Sequence, residues 1–222
     1  GTDTVGNQIY NKVHGFVSVN FFVRDACGNE TFMGNADFGA IDTLPPIISG
    51  INTTEQCGGG NDQTALQSWI NAHGNATVID DCSDFTWTNF SFTTSSGQSG
   101  SGNFNSGPYP TVQANNCTWF TDVTFRATDD CGNSSTITLR WSIEDTQVPT
   151  FTGLQPNITV YCPNPLPTIP AATVSDNCDA NVLITFAGVT QSSGNCASGG
   201  TVSRRWIATD NCGNTATAEQ LL

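Results

Sequence analysis

Along most of this chain, hydrophobic residues alternate with polar ones in short segments bounded by Gly, Asn, Asp and Pro. A period of two is typical of β-strands with one buried face, so the pattern predicts an all-β protein. The segment Thr136–Ile143, TITLRWSI, shows the alternation most clearly, with Ile137, Leu139, Trp141 and Ile143 on one side.

One segment departs from this alternation. In Asn61–Gly74, NDQTALQSWINAHG, the apolar residues Leu66, Trp69 and Ile70 lie at positions i, i+3 and i+4. This spacing predicts a short helix that ends at His73-Gly74.

A five-residue motif, D-x-C-G-N, occurs three times, at Asp25–Asn29, Asp129–Asn133 and Asp210–Asn214. A strand-like segment precedes each copy, and in register its mostly apolar face consists of Val19/Phe21/Val23, Val123/Phe125/Ala127 and Arg204/Trp206/Ala208. Gly supplies a positive φ angle and Asn tolerates one, so each motif is predicted to be the turn of a β-hairpin. The repetition indicates a tandem array of similar units.

The boundaries of these units follow from two similar linkers, AIDTLPPIISG and SIEDTQVPTFTG, each with an acidic residue, Thr and then Pro. We place boundaries near Leu44 and Val148. Residues 1–44 are then the C-terminal part of a first repeat, 45–148 a complete repeat with a helical insert and a long Gly/Ser-rich loop, and 149–222 a further repeat. The chain begins at Gly1 without a charged and apolar leader, so we expect it to be part of a longer chain.

Nine cysteines fit the same division as one, four and four. In a seven-strand antiparallel sandwich, the first and third cysteines of a repeat fall at one end and the second and fourth at the other. Bridged Cα atoms lie within about 7 Å, so this placement favours Cys57–Cys117, Cys82–Cys131, Cys162–Cys196 and Cys178–Cys212. Cys27 is the fourth cysteine of the first repeat, and we expect its partner to precede this chain.

Metal binding or redox chemistry is the alternative use of these cysteines. No C-x-x-C motif occurs and only His14 and His73 could join them, which makes a zinc site a poor fit. Disulfides instead imply an oxidising location outside the cytoplasm.

The net charge of −13, from 19 acidic and 6 basic residues, argues against nucleic acid as a partner. No apolar run is long enough to span a bilayer, which needs about 18 residues, so we expect no membrane insertion. The acidic residues concentrate near the cysteines. The stretches IDDCSD and TDDCGN share one predicted end of a sandwich, as do SDNCDAN and TDNCGN.

Such adjacent loops could supply the six to eight oxygens that Ca²⁺ takes. The candidate ligands are Asp81, Asp84, Asp129, Asp130, Asp176, Asp179 and Asp210, and the linker acids Asp42, Glu144 and Asp145 would lie near junctions. Asp and Asn also make turns in proteins that bind no metal, and no D-x-D-x-D-G loop is present. No cofactor is certain, and calcium is the one that the acidic loops suggest.

Catalysis is not expected, because G-x-S-x-G is absent and bridged cysteines cannot act as nucleophiles. Aromatic residues near the Gly/Ser-rich loop, including Trp87 and Tyr109, are candidates for a carbohydrate platform. Most aromatic residues on strands belong to the core, which is the alternative reading of these two.

The letters ITVYCPNPLPTIPAATVSDNC…RRWIATDNCGNTATAEQ resemble the immunoglobulin-like, HYR-like repeats of very large secreted bacterial proteins. More specifically, they are similar to the cysteine-containing repeats of SprB-like gliding-motility and cell-surface adhesins of the Bacteroidota. The resemblance covers residues 149–222 well, the hairpin of 1–44 fairly, and the middle repeat mainly at its cysteines and RATDDCGN. The middle repeat departs from it in its helical insert and in its long Gly/Ser-rich loop.

The resemblance implies tandem immunoglobulin-like antiparallel β-sandwiches, secretion to the cell surface, and a role in adhesion or in an extended stalk or filament, without a catalytic site. Neighbouring repeats, surface glycans or other cell-surface proteins are the expected partners. The tripeptides DTV and DTL resemble the Bacteroidota O-glycosylation motif, which makes Thr4 and Thr43 candidate attachment sites. The alternatives are a carbohydrate-binding module and an appendage of an extracellular enzyme.

Overall fold

The structure is a computed structural model that describes residues 13–58, 60–81, 84–113, 117–192, 194 and 198–222. Strands account for most of its regular elements. They are β1 (Val13–Arg24), β2 (Glu30–Ile41), β3 (Ile47–Ser49), β4 (Thr53–Gln56), β5 (Thr77–Ile79), β6 (Phe85–Thr94), β7 (Ser99–Gly102), β8 (Thr118–Asp129), β9 (Ser134–Glu144), β10 (Thr150–Phe151), β11 (Val174–Ser175), β12 (Leu183–Gln191), β13 (Val202–Thr209) and β14 (Thr215–Leu221). Between β4 and β5 lie helix α1 (Asp62–Asn71) and a 3-10 turn (His73–Asn75).

The strands form antiparallel sheets. Strands β1 and β2 pair with each other, as do β3 with β5 and β10 with β11. A three-stranded sheet has the order β12-β13-β14, and a five-stranded sheet has the order β4-β9-β8-β6-β7. The predicted fold class, an all-β immunoglobulin-like protein with disulfides, is confirmed.

The chain packs into two compact units. One comprises Gly1–Thr53, Gln67–Pro110 and Thr121–Arg140, and the other comprises Thr54–Leu66, Thr111–Phe120 and Trp141–Leu222. These units do not coincide with the predicted repeats. The repeat boundaries near Leu44 and Val148 therefore stay a prediction.

The core of the first unit forms where β8 meets α1. Val123, Phe125 and Ala127 are fully buried on the face that the alternation predicts. The ring of Trp69 packs edge-to-face on Phe125, with centroids 5.5 Å apart. Gly74 closes the helical segment at φ +67°, and a Cβ there would lie 2.8 Å from Leu139 Cδ1, so this position requires glycine. The predicted helix is confirmed.

The core of the second unit contains two groups of aromatic side chains. Trp119 and Trp141 pack edge-to-face, with ring centroids 6.2 Å apart. The buried Trp206 packs in the same way against Phe186, which lies on the neighbouring strand β12 and is itself 38% exposed. Arg204 shares the buried face of Trp206, and its guanidinium donates hydrogen bonds to the carbonyl oxygens of Pro167 and Thr168.

The three hairpins that carry the D-x-C-G-N motif differ in burial. In the β1–β2 hairpin, Val19, Phe21 and Val23 are 38%, 49% and 56% exposed, whereas their counterparts on β8 and β13 are buried. The sheet that β1 and β2 form has two strands among the described residues. The predicted face is therefore buried on β8 and β13, whereas on β1 the described residues leave it exposed.

Candidate functional site

Each D-x-C-G-N motif forms the same hairpin turn, as predicted. The glycines Gly28, Gly132 and Gly213 have φ values of +93°, +87° and +87°. The first and last residues of each motif pair through the backbone, as in the 2.9 Å bond from Asp129 N to Asn133 O. In the third copy, Asp210 Oδ1 accepts hydrogen bonds from the backbone N–H groups of Cys212 and Asn214, both at 2.8 Å. The motif thus satisfies its own backbone groups.

The asparagine that ends the motif also reaches outside the turn. Asn133 Nδ2 donates to the carbonyl oxygen of Asp42 at 3.3 Å. Asn214 Nδ2 donates to the carbonyl oxygen of Asp145 at 3.2 Å. Asp42 and Asp145 are the acidic residues of the two similar linkers, so each of these turns holds a linker in place by the same bond.

Two linker residues that precede Val148, Glu144 and Asp145, form backbone hydrogen bonds to Cys57 and Cys117. The Cys57 N–H donates to Glu144 O at 3.0 Å, and the Asp145 N–H donates to Cys117 O at 2.9 Å. Cys57 directly follows β4 and Cys117 directly precedes β8, while β9 lies between those strands. Two strand spacings separate them, about 9–10 Å, which exceeds the reach of a disulfide.

The disulfides accordingly differ from the predicted ones. Cys57 is bonded to Cys178 and Cys117 to Cys212, with Cα–Cα distances of 5.7 and 5.2 Å. The predicted pairs Cys57–Cys117 and Cys178–Cys212 are wrong. The prediction considered only pairs of cysteines within one repeat. In the structure, the loop that carries Cys178 and the turn that carries Cys212 both lie near the end of β9, where Cys57 and Cys117 are. Asn177 Nδ2 donates to Cys57 O at 2.7 Å, which places Cys178 beside Cys57.

The other predicted bridges have different outcomes. Cys131 carries a free, buried thiol, so the predicted bridge Cys82–Cys131 is wrong. Burial raises the pKa of the Cys131 thiol, and the charges of Asp42 and Asp129 raise it further. Cys162 is disulfide-bonded. Its predicted partner Cys196, like Cys82, lies outside the described residues, and Cys27 has an exposed free thiol.

Three aspartates converge at the linker of the second unit. A carboxylate oxygen of Asp145 lies within 4.8 Å of one from Asp210 and of the Cys212 sulfur. The same limit holds for Asp145, Asp176 and the Cys178 sulfur. Both sulfurs belong to disulfides, so only the carboxylates can act as ligands. We call Asp145, Asp176 and Asp210 the linker triad.

Two members of the linker triad, Asp145 and Asp176, are short of hydrogen-bond donors, whereas both oxygens of Asp210 accept bonds within its own turn. Asp145 is 7% exposed, and its Oδ1 accepts long bonds of 3.3 Å from Gln56 Nε2 and from the Gln147 N–H. Its Oδ2 is buried without a hydrogen-bond partner, and so is Oδ2 of Asp176. Burial raises the pKa of the Asp145 carboxyl, and the negative charges of Asp176 and Asp210 raise it further.

A second group with the same composition lies in the first unit. Carboxylate oxygens of Asp42, Asp80 and Asp129 lie within 4.8 Å of one another. Asp80 and Asp176 each precede a cysteine by two residues, and so do Asp129 and Asp210. The two groups are thus built from equivalent positions.

Of the predicted calcium ligands, Asp129, Asp176 and Asp210 belong to these groups. Asp81, Asp84 and Asp130 are exposed and belong to neither. Asp179 is buried, but its two oxygens accept bonds from the N–H groups of Asn181 and Asn211. The bond between Asp179 and Asn211 confirms that the stretches SDNCDAN and TDNCGN lie next to each other, as predicted. The stretches IDDCSD and TDDCGN are also adjacent, because the Asp130 N–H donates to the Asp84 carbonyl oxygen.

Three members of these groups, Asp42, Asp80 and Asp145, were not among the predicted ligands. Asp42 and Asp145 were recognised as junction acids but were not included among the ligands. Their common position in the two similar linkers was the signal that could have identified them.

The two residues of the proposed carbohydrate platform, Trp87 and Tyr109, are half-buried and contact neighbouring side chains. Trp87 stacks on His73 with a centroid distance of 4.7 Å, and burial lowers the pKa of this histidine. The Tyr109 hydroxyl donates to Asn71 Oδ1 at 2.8 Å, and its ring stacks on Phe90. Carbohydrate binding by Trp87 and Tyr109 stays a hypothesis. Of the glycosylation candidates, Thr43 is exposed and Thr4 lies outside the described residues.

Residues 151–221 match the family model of the "HYR-like domain with 4 cysteines". This match covers about a third of the chain and supports an adhesion-type repeat there, a kind of module that is structural and not enzymatic. For residues 151–221 it agrees with the expectation that the chain is not an enzyme. No curated protein matches the chain. Among the described residues, no helix is both long and apolar enough to cross a membrane.

Two solved structures align with 93% of this chain. One is the crystal structure of the protocadherin gammaB4 extracellular domain, at 16% identity and a TM-score of 0.30, and the other is PcdhgB3 EC1-4, at 12% identity and a TM-score of 0.29. This chain spans 37% and 56% of their lengths.

Proposed function

We propose that this chain is a structural and adhesive segment of a large secreted cell-surface protein. Its immunoglobulin-like modules form an extended stalk or filament for attachment or gliding, and neighbouring repeats of the same chain are its first partners. The observation that carries the proposal is that hydrogen bonds and nearby disulfides hold the linker residues before Val148 in place. Two disulfides flank this linker, and both join the predicted middle repeat to the predicted last one.

A stalk transmits force along its chain, and a linker is its weakest element when only a few backbone bonds hold it. Here Asp145 is held on three sides, by Cys117 O, by Asn214 Nδ2 and by the adjacent Cys117–Cys212 bridge. Covalent bonds do not yield at forces that separate hydrogen-bonded strands. The match of residues 151–221 to an adhesion-type repeat supports the same role.

Stretching single molecules of the chain tests this proposal. The Cys57–Cys178 bridge spans 121 residues, so an oxidised molecule should be shorter at full extension than a reduced one. At about 3.3–3.6 Å per residue, the difference is about 40 nm. A Cys57→Ala/Cys178→Ala variant serves as the matched control, because it keeps only the Cys117–Cys212 bridge of the two, which spans 95 residues. Its oxidised and reduced forms should therefore differ by the smaller length of about 32 nm.

Peptide mapping under non-reducing conditions complements the stretching experiment. We expect fragments that link Cys57 to Cys178 and Cys117 to Cys212. Fragments that link Cys57 to Cys117 would remove the covalent junction and with it this proposal.

A further inference from the structure

We propose that the linker triad of Asp145, Asp176 and Asp210 is a calcium-binding site. This inference concerns a ligand and does not depend on the stalk proposal. The first observation is the distance between the carboxylate oxygens. Two oxygens that each lie about 2.4 Å from one Ca²⁺ are at most about 4.8 Å apart, and the triad carboxylates meet this limit around Asp145.

The second observation is the pair of unpartnered oxygens. Asp145 Oδ2 and Asp176 Oδ2 are buried and accept no hydrogen bond, although buried carboxylates normally have partners. In both residues the other oxygen is occupied, by Gln56 and Gln147 at Asp145 and by two backbone N–H groups at Asp176. The unpartnered oxygens are therefore the ones left for a ligand.

The third observation is charge. Three carboxylates meet here, and in the described part of the chain no Lys or Arg forms an ion pair with any of them. Asp176 and Asp210 each place a carboxylate oxygen within 4.8 Å of one on Asp145, so their negative charges repel that of Asp145. A divalent cation would remove both this repulsion and the lack of hydrogen-bond donors.

The chemistry of the ligands selects the ion. The sulfurs of Cys178 and Cys212 are in disulfides, so the site offers oxygen alone, which suits Ca²⁺ or Mg²⁺ and does not suit Zn²⁺. The three ligands come from a linker, a loop and a turn, a set that can adapt to the larger and less directional Ca²⁺. Mg²⁺ demands near-ideal octahedral geometry and gives up its water reluctantly.

The equivalent group of Asp42, Asp80 and Asp129 does not carry the same proposal. Its carboxylates meet the same distance limit, but the structure identifies no unpartnered buried oxygen among them.

Calorimetric titration of the full chain with CaCl₂, after removal of metal by EDTA, tests the proposal. We expect binding that Asp145→Asn and Asp176→Asn each weaken at least tenfold. Asn keeps the shape of the side chain, and the two variants act as checks on each other's folding. Asp84→Asn is the matched control, because Asp84 is an exposed acid near another cysteine and belongs to neither group.

Melting curves give an independent readout. CaCl₂ should raise the melting temperature of the unmodified chain and of Asp84→Asn above the value in EDTA, and it should leave Asp145→Asn unchanged. The proposal is overturned if the unmodified chain melts equally in CaCl₂ and EDTA, if both Asn variants bind Ca²⁺ as the unmodified chain does, or if Mg²⁺ binds more tightly than Ca²⁺. None of these outcomes changes the expected stretching behaviour, so the two proposals fail separately.

Discussion

The turns Asp129–Asn133 and Asp210–Asn214 have almost the same sequence and the same hydrogen bonds, yet their cysteines differ. Cys131 is a buried free thiol, whereas Cys212 is bonded to Cys117. Both turns hold a linker carbonyl through their asparagine. The comparison separates what the five residues specify by themselves from what the surrounding segments add. The conformation of the turn is determined by its own five residues. Whether its cysteine forms a disulfide depends on which other segment of the chain packs next to the turn.

Of the changes that test this comparison, removal of the Cys117–Cys212 bridge should lower the free energy of unfolding most. Cys117→Ala/Cys212→Ala opens a link between residues 95 apart, and we expect a loss of about 2–5 kcal/mol in the free energy of unfolding. Cys131→Ala removes only a small buried group and should cost about 1 kcal/mol. Denaturation by guanidinium chloride under non-reducing conditions measures both. Equal losses would show that the two turns contribute alike and that the bridge adds nothing.

Asparagine substitutions test the linker bonds. Asn133→Ala and Asn214→Ala each leave a linker carbonyl and an aspartate oxygen without a donor, and each should cost about 1–3 kcal/mol. Asn29→Ala is the control, because Asn29 is exposed and, in the described part of the chain, its side-chain amide bonds to Asp25 within the turn and to no linker. The free energies of unfolding should therefore fall more for the first two variants. A loss at Asn29 as large as at the others would contradict a role for the linker bonds.

Glycine substitutions test the local part of the comparison. Gly28, Gly132 and Gly213 share φ values near +90°, and among the described residues, adjacent ones aside, no atom lies within 4 Å of the position that a Cβ would take at Gly132 or Gly213. An alanine there would suffer backbone strain alone, so Gly132→Ala and Gly213→Ala should each cost about 1–2 kcal/mol. Thermal unfolding of the two variants should give similar shifts. Clearly different shifts would mean that the turns are not equivalent even locally.

The smallest effect concerns pH. Folding raises the pKa of Asp145 above its ordinary 3.8, so between 3.8 and the folded value the folded chain holds a proton that the unfolded chain has lost. Stability should therefore fall as the pH rises through this interval. In EDTA, Asp145→Asn should lack this component, as urea denaturation at a series of pH values would show.

The pH series must stay above 3.8, because the carboxyl of Asp122, whose pKa the Arg140 hydrogen bond lowers, contributes the opposite trend below that value. Identical pH profiles of the unmodified chain and Asp145→Asn would contradict the prediction.

The sequence was sufficient for the strands, the helix and the three turns because each depends on neighbouring residues. Alternation along β8 and the positive φ of Gly132 are local properties, visible in a few letters. The disulfide pairs were not predictable in the same way. They depend on β9 lying between β4 and β8, a strand order that no segment reveals by itself. Two of the three residues of the linker triad were predicted as ligands, because Asp176 and Asp210 lie near cysteines, whereas Asp145 is distant from both in sequence.

The long spans of the two bridges have a consequence for biosynthesis. A chain that emerges N-terminus first presents Cys57 and Cys117 well before Cys178 and Cys212, which follow 121 and 95 residues later. In an oxidising environment, Cys57 and Cys117 can at that stage form disulfides only with thiols that have already emerged, which include one another. Native pairing then requires either that these thiols wait or that early bonds are exchanged later. The yield of correctly assembled protein would thus depend on the timing of oxidation relative to delivery of the chain, and a thiol-exchange catalyst should raise it.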